Sequence, residues 1–314
     1  MRASTPPPPE VALLTRQRAG LGEAFVVWAL AGLVLAAVCV TYARISPAEL
    51  YHTSVEGLRG GLGRTLVVSN FPIALIALGI IGLVADRADT RRTDLACLVA
   101  AVLCAVVVLP GIVEQSDLDA KLVNVIPAAG VVLALVVTVL TAMRRGVGES
   151  GRVRGDSVRL VLLVLIAVAA APWIAAELGF YLDDVPGLGF VMAGDVVPEE
   201  GAPEMRAVHL GQHHGLDGAL VASASLLLSR QLGRMGRRRL RTAVAAYLAL
   251  GIVYGLANVV QDFWLEQLEK RGTVDIGIPT LTQPALSAAW LAILVAAAAV
   301  YALLLRWSIP EPRT

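Results

Sequence analysis

Eight long apolar blocks, separated by polar and charged stretches, dominate this chain. They cover about 24–43, 65–85, 95–113, 122–143, 160–178, 208–229, 242–260 and 281–305. Each is roughly 19–25 residues long, enough at about 1.5 Å per residue to cross a hydrocarbon layer about 30 Å thick. The apolar residues are continuous rather than alternating, which predicts helices; barrel strands alternate over about ten residues. The expected fold is therefore all-α, a polytopic integral membrane protein of about eight transmembrane helices, with short interfacial helices on the outer side. Residues 1–23, with proline at positions 6 to 9, are expected to form a disordered cytoplasmic leader, 24–306 a single transmembrane helical domain, and 307–314 a cytoplasmic tail. A re-entrant sixth segment would lower the count to seven.

Composition narrows the class further. Hydrophobic residues make up 57% and charged residues 16%, against about 45–50% and about 25% in ordinary globular domains. Disorder, collagen and a disulfide-stapled secreted domain are excluded. With 26 Lys and Arg against 25 Asp and Glu, no strongly basic face points to nucleic acid. The cations set the orientation. With the N-terminus cytoplasmic and eight alternating segments, 19 of the 26 fall on the cytoplasmic side, including Arg144, Arg145, Arg152, Arg154 and Arg159 and the run Arg230 to Arg241. Positive charge near segment ends is retained in the cytoplasm, so both termini are expected inside. The Ala, Val, Leu, Gly and Arg bias suggests a bacterial plasma membrane. The first block exceeds the about 7–15 residues of a signal-peptide core and lacks a following A-x-A site, so it is expected to stay as a span. Cys39, Cys97 and Cys104 all lie inside blocks, which argues against a disulfide framework; Cys97 and Cys104 share a helix face and read as packing. The tryptophans fall mostly toward block ends, as interfacial anchors do.

The chain has four histidines, and this topology puts all of them outside. His209, His213 and His214 lie in HLGQHHGLDG at the start of the sixth block. On a continuous helix, His209, His213 and Asp217 would stand on one face at successive turns. Two imidazoles and a carboxylate suit a divalent transition metal, Zn²⁺ favoured, with one position left open; the bland alternative is a solvated polar cap. Asp217 would lie about 12 Å along the axis from His209, where a carboxylate is costly without a partner. Asn70, Asn124, Glu177, Tyr254, Asn258 and Asp262 occupy the same outer level on other helices, and with His214 would line a cavity open to the outside.

Two external segments flank this level. Ser46 to Glu49 is a capping box leading into a short interfacial helix through Tyr51 and His52, and His52 is a further ligand candidate. The following GLRGGLG, Gly57 to Gly63, reads as a flexible hinge. The acidic segment from Gly179 to Arg206 reads as a solvated face, and DFWLEQLEKRG, Asp262 to Gly272, as an amphipathic interfacial helix stopped by glycine. Gly211 and Gly215 form a G-x-x-x-G pair whose simplest role is close packing.

The expected function is a membrane-embedded, metal-dependent hydrolase acting on a lipid-like amphiphile from the outer leaflet, with Glu177 or Asp262 as general acid/base. In broad terms the arrangement is similar to seven-helix membrane hydrolases of the alkaline ceramidase type, which carry an H-x-x-x-H pair, a further His, an Asp and a Ser. The resemblance covers His209 and His213, and Ser54 beside His52; the span count and the remaining spacings differ. Membrane desaturases, with eight histidines, are excluded by count. The alternatives are a non-catalytic membrane protein and a cation- or proton-coupled carrier. The expected partners are the lipid bilayer and a lipid or small amphiphile; the sequence names no protein partner.

Overall fold

The computed structural model describes residues 20–46, 50, 57–109, 112–113, 119–148, 151–188, 196–199, 202–206, 208, 210–211, 214–279, 281 and 285–309. Among them are eight α-helices: α1 (Gly22–Arg44), α2 (Gly57–Asp86), α3 (Arg91–Ala105), α4 (Val125–Arg145), α5 (Asp156–Glu177), α6 (His214–Ser229), α7 (Arg238–Trp264) and α8 (Ala288–Trp307). Their ends follow from local chemistry. Thr90 and Ser287 cap α3 and α8, each accepting from a backbone N–H three residues on at 3.2 Å, which satisfies one of the four donors that a helix start leaves open. Gly179, at φ +92°, ends α5 with the paired Schellman bonds Phe180 N–H to Ala175 O (2.8 Å) and Gly179 N–H to Ala176 O (2.9 Å).

Six segments are long and apolar enough to cross a membrane: Gly22–Arg44, Arg59–Asp86, Leu122–Arg145, Asp156–Glu177, Arg238–Glu269 and Ala288–Trp307. Their outward faces stay apolar. Leu160, Val161, Val164, Leu165 and Val168 of α5 are exposed, as are Leu291, Leu294 and Val295 of α8. Contiguous apolar belts of this kind belong against lipid rather than water. The chain is an all-α membrane protein.

Two helices form the middle. α6 packs on α1, α2, α5 and α7, and 12 of its 16 residues are buried. α2 packs on α1, α3, α4, α6 and α7 and is the most enclosed of the long apolar helices. Small residues permit the closest crossing: a methyl on Gly218 would sit 2.5 Å from the Gly255 carbonyl oxygen, and one on Gly255 would sit 2.4 Å from that of Gly218. Cys97 and Cys104 are buried, with Cys104 against Gly130, as the packing reading expected.

Several expectations change. The third block is helical only over 15 residues of α3, followed by a 3₁₀ turn, Val106–Val108. In the sixth block the described residues Val208, Leu210 and Gly211 are not helical, and the helix runs from His214 to Ser229. The Gly57 to Gly63 run is no hinge but the first turns of α2, where glycine lets the helices close up; a methyl on Gly61 would meet Tyr42 Cβ at 3.3 Å. The Asp262 to Gly272 stretch is no separate interfacial helix. α7 runs on through a π-helical turn, Leu265–Glu269, with Glu266 and Gln267 buried. Within the acidic segment, Val196–Glu199 and Ala202–Arg206 form an antiparallel hairpin with Val196 opposite Arg206 and an irregular register beyond Val197. Trp173 is fully buried rather than an interfacial anchor. The 46–49 capping box and the helix through Tyr51 and His52 lie outside the described residues, apart from Ser46.

Candidate functional site

Polar side chains gather at the two ends of the bundle. One end holds the C-termini of α1, α5 and α7 and the N-terminus of α6; the other holds the N-termini of α1, α5 and α7 and the C-termini of α2 and α6. The first end is built around the chain entering α6. Val208, Leu210 and Gly211 are buried but not helical, and Gly211 has φ +76°. Backbone that is out of a helix and away from water needs protein partners for its N–H and C=O. Here it has them. The Gly211 N–H donates to the Glu177 carboxylate, 2.9 Å from Oε1 and 3.1 Å from Oε2. The Gly211 carbonyl accepts from the Tyr42 hydroxyl at 3.0 Å.

The same logic repeats one turn on. Gly215, second residue of α6, donates its N–H to Asp262 Oδ2 at 2.7 Å. Asp262 therefore caps α6 from another helix, with its charge at the positive end of the helix dipole. Trp173 fills the space beside this contact and donates from Nε1 to Glu266 Oε2 at 3.0 Å. A methyl on Gly215 would lie 2.5 Å from the Trp173 ring and 2.9 Å from Asp262 Cβ. Glu177 is held in turn: the Thr41 hydroxyl contacts its carboxylate and lies 2.8 Å from its carbonyl oxygen, which Arg44 also approaches at 3.0 Å. Arg64, buried on α2, stands against the Tyr42 hydroxyl.

The structure places Asn70, Asn124, Glu177, Tyr254, Asn258 and Asp262 toward this end, each joined to a nearby protein group. Asn70 donates to the Asn124 carbonyl at 2.6 Å, tying α2 to α4, and Asn124 Oδ1 accepts from the Lys121 N–H at 2.8 Å. Asn258 donates to the Tyr254 carbonyl at 2.8 Å, within α7. Asn70 and Asp262 thus tie neighbouring helices together. Asp217 is half-buried on α6 and borders a narrow crevice between α1 and α2 with Val38, Ser69, Pro72 and Gly211; its charge acts on Tyr42 and Tyr254. His214 opens α6, half-buried.

His52, His209 and His213 lie outside the described residues. Of the stretch between His209 and Asp217, the described Leu210 and Gly211 are not helical and α6 is helical from His214. Among the described residues no three His, Cys, Asp or Glu side chains come together as a metal set.

Sequence reasoning missed Thr41, Tyr42, Arg64, Trp173 and Glu266. Arg64 had a signal: it is one of seven cations on the poorly charged side, placed directly before a long apolar run. Nothing comparable marked the others. Sequence reasoning also missed an apolar cavity of about 290 Å³ between α2, α6, α7 and α8, lined among others by Leu75, Gly79, Val221, Leu228, Tyr247 and Tyr254. That volume lies near the lower edge of small-molecule pockets, about 300–1,000 Å³. Tyr254 stacks on Trp290 (centroids 5.7 Å apart) and meets Phe71 edge-on (6.4 Å), so three aromatic rings border the cavity near the Asp262 end of α7.

Comparisons with protein-family models, curated proteins and solved structures find no match to this chain.

Proposed function

We propose that this membrane protein binds a lipid-like amphiphile, its hydrocarbon part in the apolar cavity beneath the Phe71–Tyr254–Trp290 cluster and its polar part toward the α6 entry. The observation that carries this is the cavity between α2, α6, α7 and α8, whose lining side chains are almost entirely apolar. A dry apolar cavity holds hydrocarbon and excludes ions, which argues against a cation or proton carrier through this space. The proposal includes eight membrane-crossing segments with both termini cytoplasmic in a bacterial plasma membrane. The alternating direction of the eight helices and the arginine bias support it.

The catalytic form of the proposal is a hydrolase with Zn²⁺ on His209, His213 and Asp217, and His52 as a further ligand. It is supported by Asp217, a carboxylate in a crevice next to Gly211. Glu177 and Asp262, each already accepting a backbone N–H, suit the role of supports for this segment better than acid and base, so no catalytic step is assigned to them. Metal content of the purified full chain separates the catalytic form from a binding protein. About one transition-metal ion per chain, lost in His213→Ala and Asp217→Asn, supports the hydrolase; none after reconstitution overturns it.

The cavity is tested with a phospholipid bearing a diazirine in its acyl tail. Irradiation of the protein in vesicles should label peptides spanning 221–228 and 247–254, and Ala224→Phe, which fills the cavity, should abolish that labelling. Labelling confined to the outward faces of α5 and α8 would overturn the proposal.

A further inference from the structure

The opposite end of the bundle holds a second cavity, of about 510 Å³, where α5 starts and α6 and α8 end. Arg152, Arg154, Arg159, Arg230 and Arg234 line it, and no carboxylate does among the described residues. Trp307 forms part of the wall.

Its floor is constructed rather than incidental. Arg159 is 3% exposed, yet its guanidinium is fixed from three sides. Nε donates to Ser229 Oγ at 2.8 Å, Nη1 donates to the Arg154 carbonyl at 2.7 Å and lies 3.5 Å from Asp156 Oδ1, and Cζ sits 4.9 Å from the Trp307 ring centroid. Arg230 is held as well, with Nε and Nη2 each 3.2 Å from Asp156 carboxylate oxygens. Gly155, at φ +82°, lies so close to Trp307 that a methyl there would be 2.5 Å from the ring. A buried, pre-oriented guanidinium with further arginines at the rim is an arrangement that recognises phosphate oxygens through charge-assisted hydrogen bonds.

We propose that this cavity is a binding site for a phosphate-bearing anion, with Arg159 as the fixed contact and Arg152 and Arg154 as the exposed rim. Its floor is of a size to hold a phosphate with an attached organic group. Two sources present that chemistry: the headgroup of an anionic phospholipid in the adjoining leaflet, or a soluble phosphate ester. The proposal rests on the membrane reading only for the first source.

The test is titration calorimetry on the full chain in a non-ionic detergent, with dihexanoyl phosphatidylglycerol, dihexanoyl phosphatidylcholine and glycerol 3-phosphate as probes. The double variant Arg152→Ala/Arg154→Ala leaves the buried contacts alone, and Arg159→Gln removes the fixed one. Wild type should bind one anionic probe per chain, and the double variant should bind it about thirtyfold more weakly, from the usual contribution of one arginine beside an anionic headgroup taken twice. Binding of phosphatidylglycerol alone assigns a lipid headgroup; binding of glycerol 3-phosphate with similar affinity assigns a soluble ester. Equal binding of phosphatidylcholine, no binding of either anion, or an unchanged affinity in the double variant would overturn the site even if Arg159→Gln fails to fold.

Discussion

Replacing Gly211 by alanine separates two accounts of the chain entering α6 by the sign of its effect. If His209 to Asp217 were one continuous helix, Gly211→Ala would stabilise the protein, since glycine inside a helix costs about 0.5–1 kcal/mol relative to alanine. In the structure, Gly211 is left-handed at φ +76°, where a side chain costs about 1–2 kcal/mol. The new methyl would also lie 2.6 Å from the Tyr42 hydroxyl and ring. Tyr42 must move, and the Gly211 carbonyl then loses its 3.0 Å donor, a buried loss of about 1–3 kcal/mol. Together these give a destabilisation of about 2–5 kcal/mol. The assay is thermal unfolding in mild detergent, where 1 kcal/mol moves the midpoint by about 2–4 °C in domains of moderate size. A fall of about 4 °C or more is expected, and Tyr42→Phe, which removes only the hydrogen bond, should fall by less. An unchanged or raised midpoint for Gly211→Ala would refute the pinned, non-helical entry.

Three further outcomes follow from the same contacts. Glu177→Ala leaves the Gly211 N–H buried without its acceptor and should cost about 1–3 kcal/mol, whereas Glu177→Gln keeps an amide oxygen in place and should cost less; equal midpoints would show that the carboxylate does not hold this segment. Gly218→Val pushes α6 off α7 at the Gly255 carbonyl and should cost about 1–3 kcal/mol or more, read by the same melts. At the arginine-rich end, Arg237 donates to Asp94 at 2.9 Å, and that bond raises the Arg237 pKa above its ordinary value. Around neutral pH, where Arg237 is a cation and Asp94 a carboxylate, salt rather than pH should weaken it; Arg237→Ala should cost about 0.2–1 kcal/mol at low ionic strength and less at high.

The long apolar helices were legible because their signal is composition over about twenty residues, which no tertiary contact overrides in lipid. The entry to α6 was not. HLGQHHGLDG has a helical spacing, but within it Gly211 is left-handed, its backbone satisfied by Glu177 and Tyr42, while Asp262 caps the helix that starts at His214. Glu266 was misread for a related reason. DFWLEQLEKRG looks amphipathic when read as a surface helix, yet α7 continues through it and turns Glu266 inward to Trp173. The glycine run at the start of α2 resembled a hinge because its helical stability comes from neighbours such as Tyr42, not from the run itself. Asn70, Asn124, Glu177 and Asp262 stand at one end of the bundle. Their pairing depended on which helices touch, and spacing along one chain carries no record of that.

Whether α6 crosses the membrane underlies both the proposed orientation and the placing of the α6 entry and the arginine-lined cavity on opposite sides. Two exposed positions flank it, Val185 after α5 and Arg239 at the start of α7. With the three native cysteines replaced by serine, Val185→Cys and Arg239→Cys are treated separately in intact spheroplasts with a membrane-impermeant maleimide. Val185→Cys should label at once and Arg239→Cys only after permeabilisation. Labelling of both from the same side would mean that α6 enters and leaves by one face, and would contradict the eight-segment account.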